Sequence, residues 1–220
     1  MKVIICNSKS WFNFENEKNL PFSYKVIKDN NDLTLDFLEA YAPDYIFFVH
    51  WNWIVGQEIY EKFECVVFHT APLPYGRGGS PIQNLILNGF DSAPVCALKM
   101  IGELDAGPIY SKKDIELSGS LSDIFAKINK AVNTLIIEIV TDSIIPQDQK
   151  GTPFKFKRLT EKDNELPDSM TVKDMYDRVR MLDHEDYPNA YIIHDGIRLE
   201  FFDASLEEDV LNLSCKVSKV

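Results

Sequence analysis

A histidine and an aspartate are spaced in this sequence as a catalytic pair could be. His69 follows the apolar run 65–68, and Asp105 lies between Gly102 and Gly107 in a short loop-like stretch. An imidazole titrates near neutral pH, so it can accept and return a proton or polarise a carbonyl group. A carboxylate beside it could orient the ring, stabilise its charged form or relay the proton. Taken singly, each residue also fits an ordinary role, as a satisfied core histidine or a turn aspartate.

Two polar loops could bind the substrate of such a pair. The first follows the apolar run at the start of the chain and contains Ser8, Lys9 and Ser10. Ligands collect at loops of this kind in open α/β sheets, although a solvated turn is the alternative. The second loop combines a guanidinium with flexible backbone before a predicted helix start, a pattern that can bind an anion or a carbonyl group. It consists of Arg77, Gly78, Gly79 and Ser80.

An aromatic stretch follows the apolar run 45–49, where Trp51 and Trp53 flank Asn52. Bulky indoles at a strand end could form a wall for a flat ring, with Asn52 offering a polar contact. A capped corner of the hydrophobic core is the alternative, and the residues alone leave both interpretations open.

The elements that must position these residues alternate between strands and helices through about residue 145. Apolar runs rich in β-branched and aromatic residues predict strands at 2–6, 23–27, 45–49, 65–68, 93–100 and 109–117. Helical spacing of apolar residues predicts helices at 31–41, 56–63, 81–87 and 121–144. This alternation is typical of an α/β domain with a parallel sheet. In such a domain His69 would stand at the carboxyl end of a strand, where active sites form.

The last third of the chain has a different pattern. From 146 to 168 glycine, proline, lysine and aspartate increase and the periodicity fails, which indicates a linker. A helix is predicted at 171–182 and strands at 191–193, 197–202 and 212–217, with a hairpin turn at His194-Asp195-Gly196. We therefore predict a catalytic domain over 1–150, and a linker with a small α+β appendage over 151–220. The appendage could pair two subunits into a homodimer.

Composition limits the partners and the compartment. The net charge of −11 argues against a nucleic acid partner, because proteins that bind phosphate backbones are usually basic. Lys155, Lys157 and Arg158 nevertheless form a local basic cluster. The four cysteines include no CxxC pair, so reduced thiols in a cytoplasmic protein are expected. No apolar run reaches the roughly 20 residues of a membrane span. His50 and His69 lack Cys or carboxylate partners at metal-ligand spacing, so no metal site is expected.

One motif resembles a known enzyme family. The pattern His69-x4-Pro74-x2-Arg77-Gly78-x2-Pro81-Ile82-Gln83, followed by Leu104-Asp105-x-Gly107, is similar to formyltransferases that use 10-formyltetrahydrofolate. That family includes the methionyl-tRNA and glycinamide ribonucleotide formyltransferases. The form of the stretch 69–81, the preceding run 50–53 and the tail at 180–190 look closer to bacterial nucleotide-sugar N-formyltransferases, of the pseudaminic acid pathway type. The resemblance implies a Rossmann-like α/β domain, in agreement with the predicted strands.

The resemblance also implies roles for individual residues. The family's catalytic set is Asn, His and Asp, and His69 and Asp105 match it. The asparagine position, two residues before the histidine, is Val67 here, and Asn52 is our candidate for the missing hydrogen-bond donor. 10-Formyltetrahydrofolate is expected as the co-substrate, without a metal. It would lie against Trp51, Trp53, Ile54, Met100, Gly102, Glu103 and Leu104. The two polar loops, together with Thr70, would face the substrate.

The sequence therefore predicts an N-formyltransferase that acts on the amine of a UDP- or TDP-linked amino sugar in surface glycan biosynthesis. Formyl transfer to another amine, such as an aminoacyl carrier, is one alternative. A non-catalytic relative that binds folate or a nucleotide sugar is another, and it is suggested by Val67.

Overall fold

The computed structural model describes residues 1–14 and 20–220 of the chain. The strands are β1 Lys2–Asn7, β2 Ser23–Ile27, β3 Tyr45–Val49, β4 Cys65–Thr70, β5 Tyr75–Gly78, β6 Ser92–Lys99, β7 Ile109–Glu116, β8 Phe154–Phe156, β9 Ala190–His194, β10 Ile197–Glu207 and β11 Val210–Lys219. The α-helices are α1 Leu35–Tyr41, α2 Gln57–Tyr60, α3 Pro81–Leu87, α4 Leu121–Asp142 and α5 Val172–Arg180. Two 3-10 helices span Asn30–Asp32 and Glu161–Asn164.

The main sheet has the order β2-β1-β3-β4-β6-β7 within the described residues. The strands β2, β1, β3 and β4 run parallel to one another, and β6 pairs with β4 in the antiparallel direction. Nearly every residue of β1 and β3 is buried, as expected for central strands covered on both faces. The predicted Rossmann-like α/β fold is therefore confirmed, whereas the antiparallel direction of the predicted strand β6 was not indicated by the strand pattern.

Contacts divide the chain into two compact units. The first comprises Met1–Arg77, Pro94–Ile115 and Ile128–Phe154, and the second comprises Gly78–Ala93, Glu116–Lys127 and Lys155–Val220. In the second unit, β9, β10 and β11 form an antiparallel sheet. The predicted hairpin between β9 and β10 is confirmed, and both Asp195 and Gly196 have the positive φ that a tight hairpin turn requires. The predicted domain boundary at residue 150 stays a prediction.

Several predicted elements differ from the structure in their bounds or their type. The helix predicted at 31–41 begins only at Leu35, because the Thr34 hydroxyl caps it by accepting a hydrogen bond from the Phe37 amide. The predicted linker contains β8 and a 3-10 helix, which Thr160 and Asp163 cap reciprocally. His69 lies within β4 and not after it. No helix in the described part of the chain is long and apolar enough to cross a membrane, and the cytoplasmic location stays a prediction.

Candidate functional site

The structure brings His69 and Asp105 together inside the first unit. The imidazole Nδ1 lies 3.5 Å from the Asp105 Oδ2, and the two side chains are only 7% and 9% exposed. β4 delivers the histidine, and the turn between β6 and β7 delivers the aspartate. In such a dry site the two groups interact more strongly than they would in water.

A backbone carbonyl fixes which nitrogen of His69 carries the proton. The Nε2 atom lies 2.7 Å from the Gly76 carbonyl oxygen, which can only accept a hydrogen bond. Nε2 therefore donates to Gly76, and Nδ1 is the nitrogen that faces Asp105. Gly76 has φ 90°, a conformation that residues with a Cβ rarely adopt. This contact could not be predicted, because nothing in the residue type of Gly76 marks its carbonyl as a partner of His69.

Contacts with residues outside the turn that carries Asp105 hold this turn in its conformation. Asp105 itself has φ 53°, which is uncommon for a residue other than glycine and costs free energy that the surroundings must offset. Its carbonyl oxygen and that of Gly107 accept hydrogen bonds from the Gln149 Nε2, at 2.8 and 2.9 Å. Gly107 fits so tightly that an added Cβ would lie 1.8 Å from the Lys99 carbonyl oxygen. The glycine two residues after Asp105 is thus explained by a close backbone approach.

Arg77, predicted to bind substrate, is buried and braces this turn. It is 8% exposed and belongs to β5. Its Nε and Nη2 donate to the Gln149 Oε1, at 3.1 and 2.9 Å, and its Nη1 lies 3.3 Å from the Glu103 Oε1. Because the guanidinium is occupied within the protein, its direct contact with substrate stays a prediction that the structure gives no reason to favour.

A cavity of about 560 Å³ opens beside Asp105. Its lining is mostly apolar, and Trp51 and Trp53 meet in it edge to face with ring centroids 4.7 Å apart. The buried Trp51 Nε1 has no hydrogen-bond acceptor among the described residues. Asp105 and Val67 also line the cavity. All seven residues predicted to bind the co-substrate line it: Trp51, Trp53, Ile54, Met100, Gly102, Glu103 and Leu104.

The predicted substitute donor lies elsewhere. Asn52 is exposed and is not part of the lining that the described residues give this cavity. Val67 and His69 are two residues apart on β4, so their side chains share one face of the sheet. Thr70 points to the opposite face, and its predicted contact with the same substrate stays a prediction. An asparagine at the Val67 position would therefore reach the cavity, and Asn52 does not.

Asn7, the last residue of β1, forms hydrogen bonds that hold the predicted loop after this strand. Asn7, which is 2% exposed, accepts a hydrogen bond from the Lys9 amide and donates to the carbonyl oxygens of Lys9 and Phe12. The Ser8 hydroxyl donates to the His50 carbonyl oxygen at 2.7 Å. Ser8 and Lys9 are half-buried and Ser10 is exposed. None of the three lines the cavity described above, in the part of the chain that the structure covers, so their binding role stays a prediction.

Gly78, Gly79 and Ser80 belong to the second unit and pack against its own backbone. A Cβ on Gly78 would lie 3.0 Å from the Phe156 carbonyl oxygen, and one on Gly79 would lie 2.9 Å from the Arg158 Cα. The Ser80 hydroxyl oxygen accepts a hydrogen bond from the Leu159 amide at 3.0 Å. These contacts account for the residue types without a ligand, and the predicted substrate contacts are untested.

The thiols close to this site are not nucleophiles at neutral pH. Burial, together with the neighbouring Glu64 carboxylate, raises the pKa of Cys65 to about 12. Burial likewise raises the pKa of Cys96 to about 11. Since only a thiolate attacks, proton transfer and hydrogen bonding by the His69 and Asp105 pair are the chemistry that the geometry offers. Within the described residues, no group of three or more His, Cys, Asp or Glu side chains could hold a metal ion.

Two family models match the chain. One, described as formyl transferase, matches residues 6–140, which is more than half of the sequence. The other, described as the C-terminal domain of methionyl-tRNA formyltransferase, matches residues 161–218.

Individual relatives agree with these models. A methionyl-tRNA formyltransferase from Sulfurihydrogenibium sp. is 27% identical over 205 residues, which cover 88% of this chain and 65% of the relative. The chain thus spans about two thirds or less of the length of the first curated relatives it matches. The structure of a methionyl-tRNA formyltransferase from Clostridium thermocellum is 36% identical, with a TM-score of 0.94 and full coverage of both chains. HypX from Aquifex aeolicus, solved with tetrahydrofolic acid, shares the fold at 19% identity, with a TM-score of 0.78, over 94% of this chain and 38% of HypX.

These findings correct the predicted substrate. The nucleotide-linked amino sugar and the role in glycan biosynthesis are wrong, because the curated relatives and the 36%-identical structure are named methionyl-tRNA formyltransferases. The motif around His69 is shared across the wider family, so its residues could not distinguish one amine substrate from another. The exclusion of a nucleic acid partner is contradicted by the same names. Net charge is a sum over the chain, whereas binding depends on local charge such as the cluster of Lys155, Lys157 and Arg158. The predicted enzyme class is confirmed, and the chain belongs to the formyl transferase family.

Proposed function

We propose that this chain transfers a formyl group from 10-formyltetrahydrofolate to the free amine of methionyl-tRNA. The observation that carries the proposal is the full-length match to the Clostridium thermocellum methionyl-tRNA formyltransferase, at 36% identity. The match of residues 161–218 to the C-terminal domain of such enzymes supports the same substrate. An aminoacyl carrier is the alternative substrate that the sequence analysis allows, and it replaces the amino sugar as the proposed acceptor of the formyl group.

The cavity suits the proposed formyl donor. A pterin is a flat ring with both hydrogen-bond donors and acceptors, and the cavity combines aromatic walls with the backbone of the turn that begins at Met100. The Trp51 Nε1 offers a buried donor with no acceptor among the described residues. Rigid aromatic walls hold a flat ring with little loss of side-chain entropy. The formyl group on the donor nitrogen supplies an acyl carbon that is already activated toward an amine.

The pair beside the cavity would manage the proton. As the amine nitrogen bonds to the formyl carbon, the bond from that carbon to the donor nitrogen breaks, so one proton must leave the amine and one must reach the donor nitrogen. Asp105 lines the cavity and would take the proton, sharing it with the His69 Nδ1 at 3.5 Å. The Gly76 carbonyl holds the imidazole in the tautomer that keeps Nδ1 available. General acid–base catalysis of this kind contributes about 100- to 10,000-fold.

The test is formyl transfer itself. The purified chain is mixed with 10-formyltetrahydrofolate and methionyl-tRNA, and the formylated methionine is measured by mass spectrometry after the ester bond is hydrolysed. Methionyl-tRNA whose amine is acetylated is the matched control and should gain nothing. Asp105→Asn should reduce turnover at least about 100-fold, because its amide cannot accept the proton. Formylation of a UDP-linked amino sugar in place of methionyl-tRNA would refute the proposal.

A further inference from the structure

The side-chain amide of Gln149 uses its whole hydrogen-bonding capacity on the Asp105 turn and on the arginine beside it. Its Oε1 accepts from the Arg77 Nε and Nη2, at 3.1 and 2.9 Å. Its Nε2 donates to the Asp105 and Gly107 carbonyl oxygens, at 2.8 and 2.9 Å. A guanidinium can only donate and a carbonyl can only accept, so the orientation of the amide is fixed by its partners. Glutamine therefore satisfies two kinds of partner at once, which a carboxylate or an apolar side chain does not.

Gln149 thus forms a bridge between Arg77 and the Asp105 turn, and both ends of the bridge act on that turn. Arg77 reaches the turn directly through the Glu103 carboxylate, 3.3 Å from Nη1, and indirectly through Gln149. Asp105 lies between these two attachment points and has the left-handed φ of 53°. Such a conformation persists when the surroundings over-determine it. Part of that constraint comes from Gln149, which is 44 positions from Asp105 in sequence, and from Arg77, which is 72 positions from Gln149.

We propose that Gln149 is a positioning residue for formyl transfer, which sets the Asp105 backbone so that the carboxylate faces the His69 Nδ1. The inference rests on the proposed function, because it assigns Asp105 the role of proton acceptor. Gln149 does not line the cavity in the described part of the chain, so its effect on the reaction passes through Asp105. A misplacement of about 1 Å at a reacting group can cost about 100-fold in rate.

The amide can be altered without removing the segment that carries it. The backbone of Gln147 exchanges two hydrogen bonds of 2.8 Å with Ile109, and these do not involve the Gln149 side chain. Gln147 also provides the matched control, since its own amide donates to the carbonyl oxygen of Ile145, two residues before it in the same segment. Gln147→Ala should therefore keep the turnover of the parent chain.

Two substitutions remove different parts of the Gln149 hydrogen bonding. Gln149→Glu keeps the acceptors for Arg77 and places a carboxylate oxygen against the Asp105 and Gly107 carbonyls. Gln149→Met keeps the length and removes both sets of hydrogen bonds. We expect each to lower kcat about 100-fold and to change KM for the formyl donor less than about threefold, because the cavity walls are untouched. Turnover within about threefold of the parent in both variants would overturn the inference.

A double-mutant cycle distinguishes positioning from a general structural role. If Gln149 acts through Asp105, adding Gln149→Met to Asp105→Asn should lower kcat less than about threefold further. Additive losses would mean that the bridge serves stability alone, and would refute the inference.

A measurement that does not depend on turnover keeps the inference testable if the parent chain formylates nothing. The side-chain 15N resonances of His69 in Gln149→Met should then match those of Asp105→Asn. Resonances that stay at the parent positions would count against Gln149, whereas the missing transfer alone would count against the proposed function.

Discussion

Gly107→Ala is the smallest change that should disable the site without touching a reacting side chain. The added Cβ would lie 1.8 Å from the Lys99 carbonyl oxygen and 3.0 Å from the Lys99 carbonyl carbon. Both are backbone atoms at the end of β6, where the Lys99 amide also donates to the Pro108 carbonyl oxygen at 2.9 Å. Backbone that is hydrogen-bonded on this side cannot swing aside as a flexible side chain would.

The size of the effect follows from the clash. Contacts shorter than 3.0 Å do not persist between a Cβ and another heavy atom, so the turn and Lys99 must separate by about 1.2 Å, the difference between 3.0 and 1.8 Å. Asp105 lies two residues away in the same turn, and its carbonyl is tied to that of Gly107 through Gln149. A shift of this size predicts a loss of about 100-fold in kcat. Overpacking of this kind also costs about 1–3 kcal/mol of unfolding free energy.

Formyl transfer at saturating substrate measures the first effect, and equilibrium urea unfolding measures the second. Gly89→Ala is the control, since its added Cβ would have no atom within 4 Å. It should keep the parent turnover, so that a loss in Gly107→Ala is assigned to the clash and not to the loss of a glycine. If Gly107→Ala turned over within about threefold of the parent, the tight coupling between this turn and Asp105 would be refuted.

Gly76→Ala puts a Cβ on a backbone with φ 90°, so we expect it to lose about 1–2 kcal/mol of unfolding free energy and formyl transfer as well. Gly89→Ala at φ 76° should show a similar loss in urea unfolding with transfer unchanged. In alkylation at about pH 8, the exposed Cys215 should react in the native state, whereas Cys65, with a pKa raised to about 12, should react only on unfolding. Hydrogen bonds from a serine backbone and hydroxyl lower the pKa of Asp123, so its stabilisation is present above the unfolded pKa and disappears as pH falls through the folded one. Asp123→Asn should remove that part of the acid dependence of urea unfolding.

The parts of the site that could be predicted are those that depend on a short stretch of the sequence. Apolar runs define β3 and β4, and parallel strands end at one edge of a sheet, so His69 could be assigned to an active-site edge. The seven co-substrate residues were assigned through the resemblance to the family, and two indoles at a strand end and a turn with glycines mark their positions in the sequence. In each case the signal lies within a few residues of the group it predicts.

The parts that could not be predicted depend on contacts between distant segments. Gln149 lies in a stretch without periodicity, and its partner Arg77 is 72 residues away. The Gly76 carbonyl meets His69 because β5 turns back toward β4, and no residue type encodes the direction of a carbonyl. Arg77 is a residue whose surroundings could not be predicted for the same reason. A guanidinium in a glycine-rich stretch is typical of an anion site, but burial here commits it to an amide and a carboxylate of the protein.

Val67 is the position at which the family pattern and this structure must be reconciled. An asparagine there would share the cavity face of β4 with His69 and could donate to the oxygen of the formyl group as charge develops on it. Valine cannot donate, and loss of one such donor costs about 100- to 1,000-fold. Asn52 does not replace it from its exposed position outside the cavity lining of the described residues. The His69 Nε2–H is already used on Gly76. Under the proposed function the pair therefore contributes proton transfer, and neither Val67 nor the His69 Nε2–H donates to the formyl oxygen.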